Sequence, residues 1–242
     1  MEGIYPLVSE VAREGKMTQG TRLEKHQDGS ASLARWTGTL GVFVPAVAIP
    51  IYPIWLVPAT HTSGADIARW AADHHDRLVA TQVLYTVGVG LWIVFGAALW
   101  TRLRSQLPAE SPLPTGFSLG IIGMVTLILS GFTAFDLLLY RPRGAEISAL
   151  LYDLTLGLLA MSGIPTAVAL GCFAIAVYRY RVLRRSTAHI AAVAAAGHVL
   201  LMIAFIAPSG PLSLQGPLTV WAIPLLLFTW IGHTARTVRP LP

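Results

Sequence analysis

Charge is what this chain has least of. Asp, Glu, Lys and Arg make up 12% of its 242 residues, against roughly 25% in soluble domains. Cysteine is nearly absent as well. The single one, Cys172, rules out an internal disulfide, and its apolar surroundings do not resemble a reactive thiol site. It reads as a small packing residue. Residues 1–35 lack the apolar central region of a signal peptide. No internal repeat is visible, so the inverted-repeat pattern of many transporters is missing. Basic stripes interleaved with aromatics are missing too. The net charge of +5 therefore does not point to a nucleic-acid partner, because basic residues collect in the cytoplasmic loops of membrane proteins.

What the chain does have is apolar length. Hydrophobic residues make up 54% of it, mean hydropathy is +0.62, and the apolar runs reach the roughly 20 residues that cross a bilayer. The expectation is an all-α, polytopic membrane helix bundle of about six transmembrane helices, set in the lipid bilayer of the cell membrane. Residues 1–35 read as a polar cytoplasmic arm, 36–235 as the transmembrane domain and 236–242 as a short cytoplasmic tail. The spans fall near 36–58, 78–100, 116–140, 147–178, 188–207 and 218–232. Pro45, Pro50, Pro53 and Pro58 make the first irregular, and Pro165 kinks the fourth. In HTSGADIARW, Ser63 with Asp66 three residues later forms a capping-box-like start. It opens a short interfacial helix leading into the second span.

Six crossings put both termini on one side. Of 17 Lys and Arg, only Arg69, Arg77, Arg141 and Arg143 fall opposite them, so both termini are expected in the cytoplasm. The acids sort the other way. Outside the N-terminal arm, Asp66, Asp73, Asp76, Asp136, Glu146 and Asp153 all fall at the outer face, and only Glu110 at the inner one. His61, His74 and His75 join them there.

The candidate site lies in FDLLLYRPRGAEISALLYDL, residues 135–154. Two apolar runs meet through the turn Arg141–Glu146, and Asp136 and Asp153 stand symmetrically about it. That symmetry predicts two carboxylates at similar depth, about two turns in from the loop. Acids there are costly unless used or paired. Held close in a poorly solvated place they cannot both ionise easily, so one keeps its proton and serves as an acid. The plainer alternative is that each pairs with Arg141 or Arg143 and anchors the hairpin. Asp76, Glu146 and His74 are candidate helpers, His74 as a proton carrier. In ADHHDR, Asp73 and Asp76 have an i, i+3 metal-ligand spacing, with His61 as a further donor. His74 and His75 point to different faces, and a solvated helix start explains the segment better. No metal and no cofactor is expected. His198, mid-span, reads as a neutral interhelix contact, with a proton relay as the alternative. The aromatic residues suit interface belts and packing, or a pocket that stabilises carbocations.

From Trp36 to Arg236 the chain resembles a large group of actinobacterial six-span proteins of unknown function. The resemblance is carried by WTGTLGVF, ADIARWAADHHDRLVA and LLYDLTLGLLAMSGIPTAVAL, and it implies architecture alone. A weaker similarity, of size and carboxylate chemistry, is to the small integral-membrane terpene cyclases of natural-product pathways. It implies that Asp136 and Asp153, helped by Asp76 or Glu146, start an isoprenoid cyclisation. The expected function is an intramembrane enzyme for a lipophilic substrate, an acid-initiated isoprenoid cyclase or isomerase. The alternative is a transporter, resistance or accessory protein whose outer acidic and histidine groups bind a cation or a partner.

Overall fold

The computed structural model describes residues 29–53, 56–59, 61–207 and 209–238, and among these there are helices and no strand. The helices are α1 (29–48), α2 (Gly64–Asp73), α3 (His75–Gln106), α4 (Leu113–Tyr140), α5 (Ala145–Met161), α6 (Gly163–Tyr180), α7 (Arg185–Leu200) and α8 (Ile223–Thr237). A 3₁₀ turn, Leu201–Phe205, prolongs α7, and a π turn, Leu218–Ala222, opens into α8. Most of the expected N-terminal arm (1–28) and the end of the tail (239–242) lie outside the described residues.

Among the described residues five segments are long and apolar enough to cross a bilayer: His75–Gln106, Leu113–Tyr140, Ala145–Tyr180, Arg185–Phe205 and Leu218–Thr237. They correspond to the second to sixth expected spans. The protein is thus a helical membrane bundle, and its exposed Leu119, Ile122, Leu150, Val193 and Leu225 supply the lipid-facing surface. The first expected span departs from the pattern. The chain is already helical at 29 and leaves the helix after 48, ahead of Pro50 and Pro53. Proline supplies no N–H and its ring collides with the preceding turn, so the helix stops there. Arg35, Thr37 and Thr39 make the other half too polar to match its neighbours.

Helix α1 nevertheless runs through the bundle antiparallel to α3. The buried Trp92 Nε1 donates to the Gly41 carbonyl at 2.8 Å. A Cβ on Gly38 would lie 2.8 Å from the Phe95 ring, and one on Gly88 would strike Pro45. The absent side chains at these positions let the helices touch.

The fourth span breaks where proline chemistry requires. Pro165 cannot bond back to residue 161, and Ser162 separates α5 from α6. Hydroxyls add bonds on either side of the break: Ser162 Oγ donates to Leu159 O at 2.6 Å and Thr166 Oγ1 to Ser162 O at 2.7 Å. The kink brings Gly163 against α7, where a Cβ would lie 2.5 Å from the His198 carbonyl. His198 itself is 3% exposed and its Nδ1 pairs with Ala194 O at 2.7 Å within its own helix.

The middle of the bundle is packed by Phe95, Phe117, Phe173 and Trp230, from α3, α4, α6 and α8. The Trp230 ring lies 5.7, 6.5 and 5.2 Å from those of Phe95, Phe117 and Phe173. Large side chains from four helices meeting at one level hold the layer together. At one end of the bundle a second cluster joins Tyr52, Ile67, Ala71, Leu78, Leu138, Leu139 and Tyr152. It seats α2 across the ends of α3, α4 and α5. That end carries Asp66, Asp76, Asp136, Glu146 and Asp153. The opposite end carries Arg102, Arg104, Arg179, Arg184, Arg185 and Arg236.

Candidate functional site

Helix α2 begins as its sequence requires. The Ser63 Oγ accepts from Asp66 N–H at 3.2 Å and donates to Asp66 Oδ2 at 2.7 Å, while Arg69 Nη1 donates to Asp66 Oδ1 at 2.8 Å. The Ser63 hydrogen bond, with help from Arg69, holds this exposed carboxyl below the usual range. From this cap the helix carries Ile67, Trp70 and Ala71 onto the second cluster.

There the aromatic groups are filled in against one another. Trp70 lies 6.1 Å from Tyr52, 6.1 Å from Phe135 and 6.0 Å from Tyr152, ring centre to ring centre. Trp70 Nε1 donates to the Tyr52 hydroxyl at 2.6 Å, and Tyr52 donates on to Leu56 O at 3.1 Å. Tyr152, 1% exposed, donates to Pro58 O at 2.6 Å. His74 belongs to this packing rather than to an open site. It is half-buried, its Nδ1 pairs with Trp70 O at 2.9 Å, and its ring stands 5.3 Å from Tyr52. The cluster is a clamp that ties the segment after α1 to α5. Replacing Tyr152 by Phe keeps the ring and strands the Pro58 carbonyl. The expected outcome is a loss of about 1–3 kcal/mol, read by thermal unfolding in detergent.

The aspartates do not sit as their spacing suggests. Helix α4 continues to Tyr140 and α5 starts at Ala145, so the loop is Arg141–Gly144 rather than Arg141–Glu146. Asp136 stands four residues from the end of its helix and Asp153 eight residues into the next. At roughly 1.5 Å per residue, Asp153 lies about 6 Å further along its helix. They also face different ways. Asp136 opens onto a groove between α3 and α4. Asp153 is exposed beside Leu150 and Leu154, on the face of α5 opposite the buried Ser148, Tyr152 and Thr155. Among the described residues neither carboxylate has a Lys or Arg nitrogen within 4.0 Å; the ion pairs there are Asp66–Arg69 and His75–Asp76. Arg143 instead donates to Leu137 O at 3.3 Å. The hairpin is closed without using its acids.

The groove combines volume, apolar walls and reactive groups. It measures about 580 Å³ and is lined by His75, Val79, Gln82, Val83, Thr86, Val87, Asp136, Leu139 and Tyr140. Ligand sites span roughly 300–1,000 Å³. The α3–α4 register is set by two contacts: Tyr85 meets Phe132 with ring centres 6.4 Å apart, and a Cβ on Gly96 would lie 2.8 Å from Ile121 Cγ2. Stepping four residues outward from both Tyr85 and Phe132 brings Asp136 level with Thr81 and its neighbour Gln82. His75 lies about two turns further out, its Nδ1 3.1 Å from Asp76 Oδ1. Helix α4 has 28 residues, about 42 Å at 1.5 Å each, against roughly 30 Å of hydrocarbon. Its ends reach the headgroup layer. The mouth of the groove stands at that boundary, with its valines continuing inward.

Asp136 and His75 therefore line the same groove about two turns apart, and His75 is paired with Asp76 at its mouth. Asp153 and Glu146 stay exposed on α5, and His74 is in the clamp. Among the described residues no three His, Cys, Asp or Glu groups converge as a metal site would require. Sequence reasoning passed over Gln82 and Thr86, and weighed His75 only within the ADHHDR metal reading. The signal was present: in an uncharged span the polar positions 75, 82 and 86, with Val79, follow helical spacing.

No protein-family model, no curated protein and no solved structure matches the chain.

Proposed function

We propose that this protein is an intramembrane acid–base enzyme that isomerises a lipophilic, isoprenoid-like substrate, with Asp136 as its acid. The observation that carries the reading is the Asp136 carboxyl lining an apolar groove with no Lys or Arg within 4.0 Å among the described residues. In the proposed step the protonated carboxyl adds its proton to one alkene carbon. The carboxylate so formed removes a proton from a carbon next to the resulting cation, so the double bond moves and the acid is regenerated. The balance requires no redox partner. His75, hydrogen-bonded to Asp76 at the mouth, connects the acid with outer water. Isomerisation is favoured over cyclisation because, among the described residues, the groove is lined by one carboxylate and one phenol ring, Tyr140. A folded polyene cation needs a more complete aromatic enclosure.

We also place the protein in the cell membrane with both termini cytoplasmic. Support comes from α1 running beside α3 as a sixth crossing, and from the gathering of arginines at the end of the bundle where α1 begins and α8 ends. Incubating protein-containing membranes with isoprenoid lipids in D₂O tests the activity. Deuterium on carbon in a double-bond isomer is expected. No label above protein-free membranes overturns the assignment.

A further inference from the structure

We propose that the α3–α4 groove recognises a neutral lipid bearing a hydroxyl, with that hydroxyl bridging Gln82 and Asp136. The inference rests on the same groove as the isomerase reading and adds the substrate's polar class.

Gln82 is the independent observation. It is 6% exposed, it lines the groove, and its Nε2 has no hydrogen-bond partner among the described residues. An unpaired buried amide costs about 1–3 kcal/mol. Structural glutamines inside membranes pair with a neighbouring helix; here the facing helix offers Asp136 at the same level instead. A half-turn of the carboxamide exchanges its N–H₂ and carbonyl ends. The groove can therefore present either a donor or an acceptor beside the aspartate.

The chemistry of the walls then selects the ligand. Among the described residues no Lys or Arg lines the groove, so a phosphate or carboxylate headgroup would meet Asp136 with no counter-charge. A bare hydrocarbon leaves Gln82 unpaired. An ammonium group satisfies Asp136 and can donate to the Gln82 carbonyl, but it accepts nothing from the Gln82 N–H₂. A hydroxyl both donates and accepts, so it serves Asp136 in either protonation state and Gln82 in either orientation. Val79, Val83 and Val87 supply apolar wall for the chain, which leaves sideways into the bilayer.

The test is photolabelling of the full-length protein in lipid nanodiscs with farnesol carrying a diazirine, mapped by mass spectrometry. Labels are expected on the α3 segment 79–87. Unlabelled farnesol should compete at least about tenfold better than farnesyl diphosphate, farnesylamine or squalene, the discrimination expected of a polar group left unpaired. Gln82→Leu keeps the volume and removes the amide; it should weaken farnesol about tenfold and leave squalene unchanged. Equal competition by all four compounds overturns the proposal without requiring any variant. So does a farnesol affinity in Gln82→Leu within twofold of the native chain. Failure here with deuterium incorporation intact removes the hydroxyl alone, whereas selective binding without incorporation removes the isomerase.

Discussion

Asp136→Asn should lower the isomerising activity by about 10²–10⁴-fold, the contribution of a positioned general acid, and Asp153→Asn should leave it within about twofold. The two substitutions are chemically the same, conserving volume and removing an ionisable proton. They differ in where the structure puts them. Asp136 lines the groove, level with Gln82, and its amide replacement can donate a hydrogen bond without giving up a proton to carbon. Asp153 stands on the outer face of α5, away from the groove. Substitutions at exposed sites away from special features usually change free energies by no more than about 0.5 kcal/mol, roughly a factor of two in rate. The measurement is deuterium incorporation per mole of protein in matched membranes, with unfolding temperature as a check on folding. Equal loss in both variants would restore the two-carboxylate arrangement that the sequence suggests. Full activity in Asp136→Asn would remove the acid altogether.

That contrast also shows how far the sequence could be read. Apolar run length located the five strongly hydrophobic spans, because a bilayer imposes one length on every crossing. It failed at α1, where Pro50 and Pro53 truncate the helix and a polar half dilutes the hydropathy. The Ser63–Asp66 cap was legible because a cap is settled within four residues. The aspartates were legible as polar residues out of place, but not as a pair. Spacing about a turn gives equal depth only if the loop is centred on that turn, and α5 starting at Ala145 rather than after Glu146 moves the centre. Facing is set by packing rather than by spacing. Gln82 was hidden for a related reason. Helical spacing marks a polar stripe on α3 but not what faces it, and only the contacts Tyr85–Phe132 and Gly96–Ile121 set Gln82 opposite Asp136. Aromatic composition could not say whether rings line a cavity or fill a core. Here they mostly fill: Trp70, Tyr52 and Tyr152 form the clamp, and Phe95, Phe117, Phe173 and Trp230 the central layer.

The largest loss of stability should come from Gly120→Leu. A Cβ at this position would lie 2.6 Å from Ala169 N and 2.7 Å from Pro165 O, both backbone atoms of α6. Backbone cannot swing aside as a side chain can, so α4 and α6 must separate along a main contact of the bundle. Overpacking a core usually costs about 1–3 kcal/mol, and with backbone on both sides the expected loss is at the top of that range or beyond it. Two comparisons isolate the cause. Gly90 has nothing within 4 Å of its Cβ position, so Gly90→Ala should be neutral or gain up to about 1 kcal/mol from the reduced backbone freedom. At Gly116 the obstacle is the Sγ of Cys172, 2.7 Å from the added Cβ. Gly116→Ala alone should cost about 1 kcal/mol, and Cys172→Ala in the same chain should recover most of it, because the pair shares one space. Thermal unfolding in detergent, followed by the fraction remaining monodisperse, measures all four variants. If Gly120→Leu unfolds within a degree or two of the native chain, α4 and α6 do not meet backbone to backbone. The kink at Ser162 would then no longer be what positions α6 against both α4 and α7.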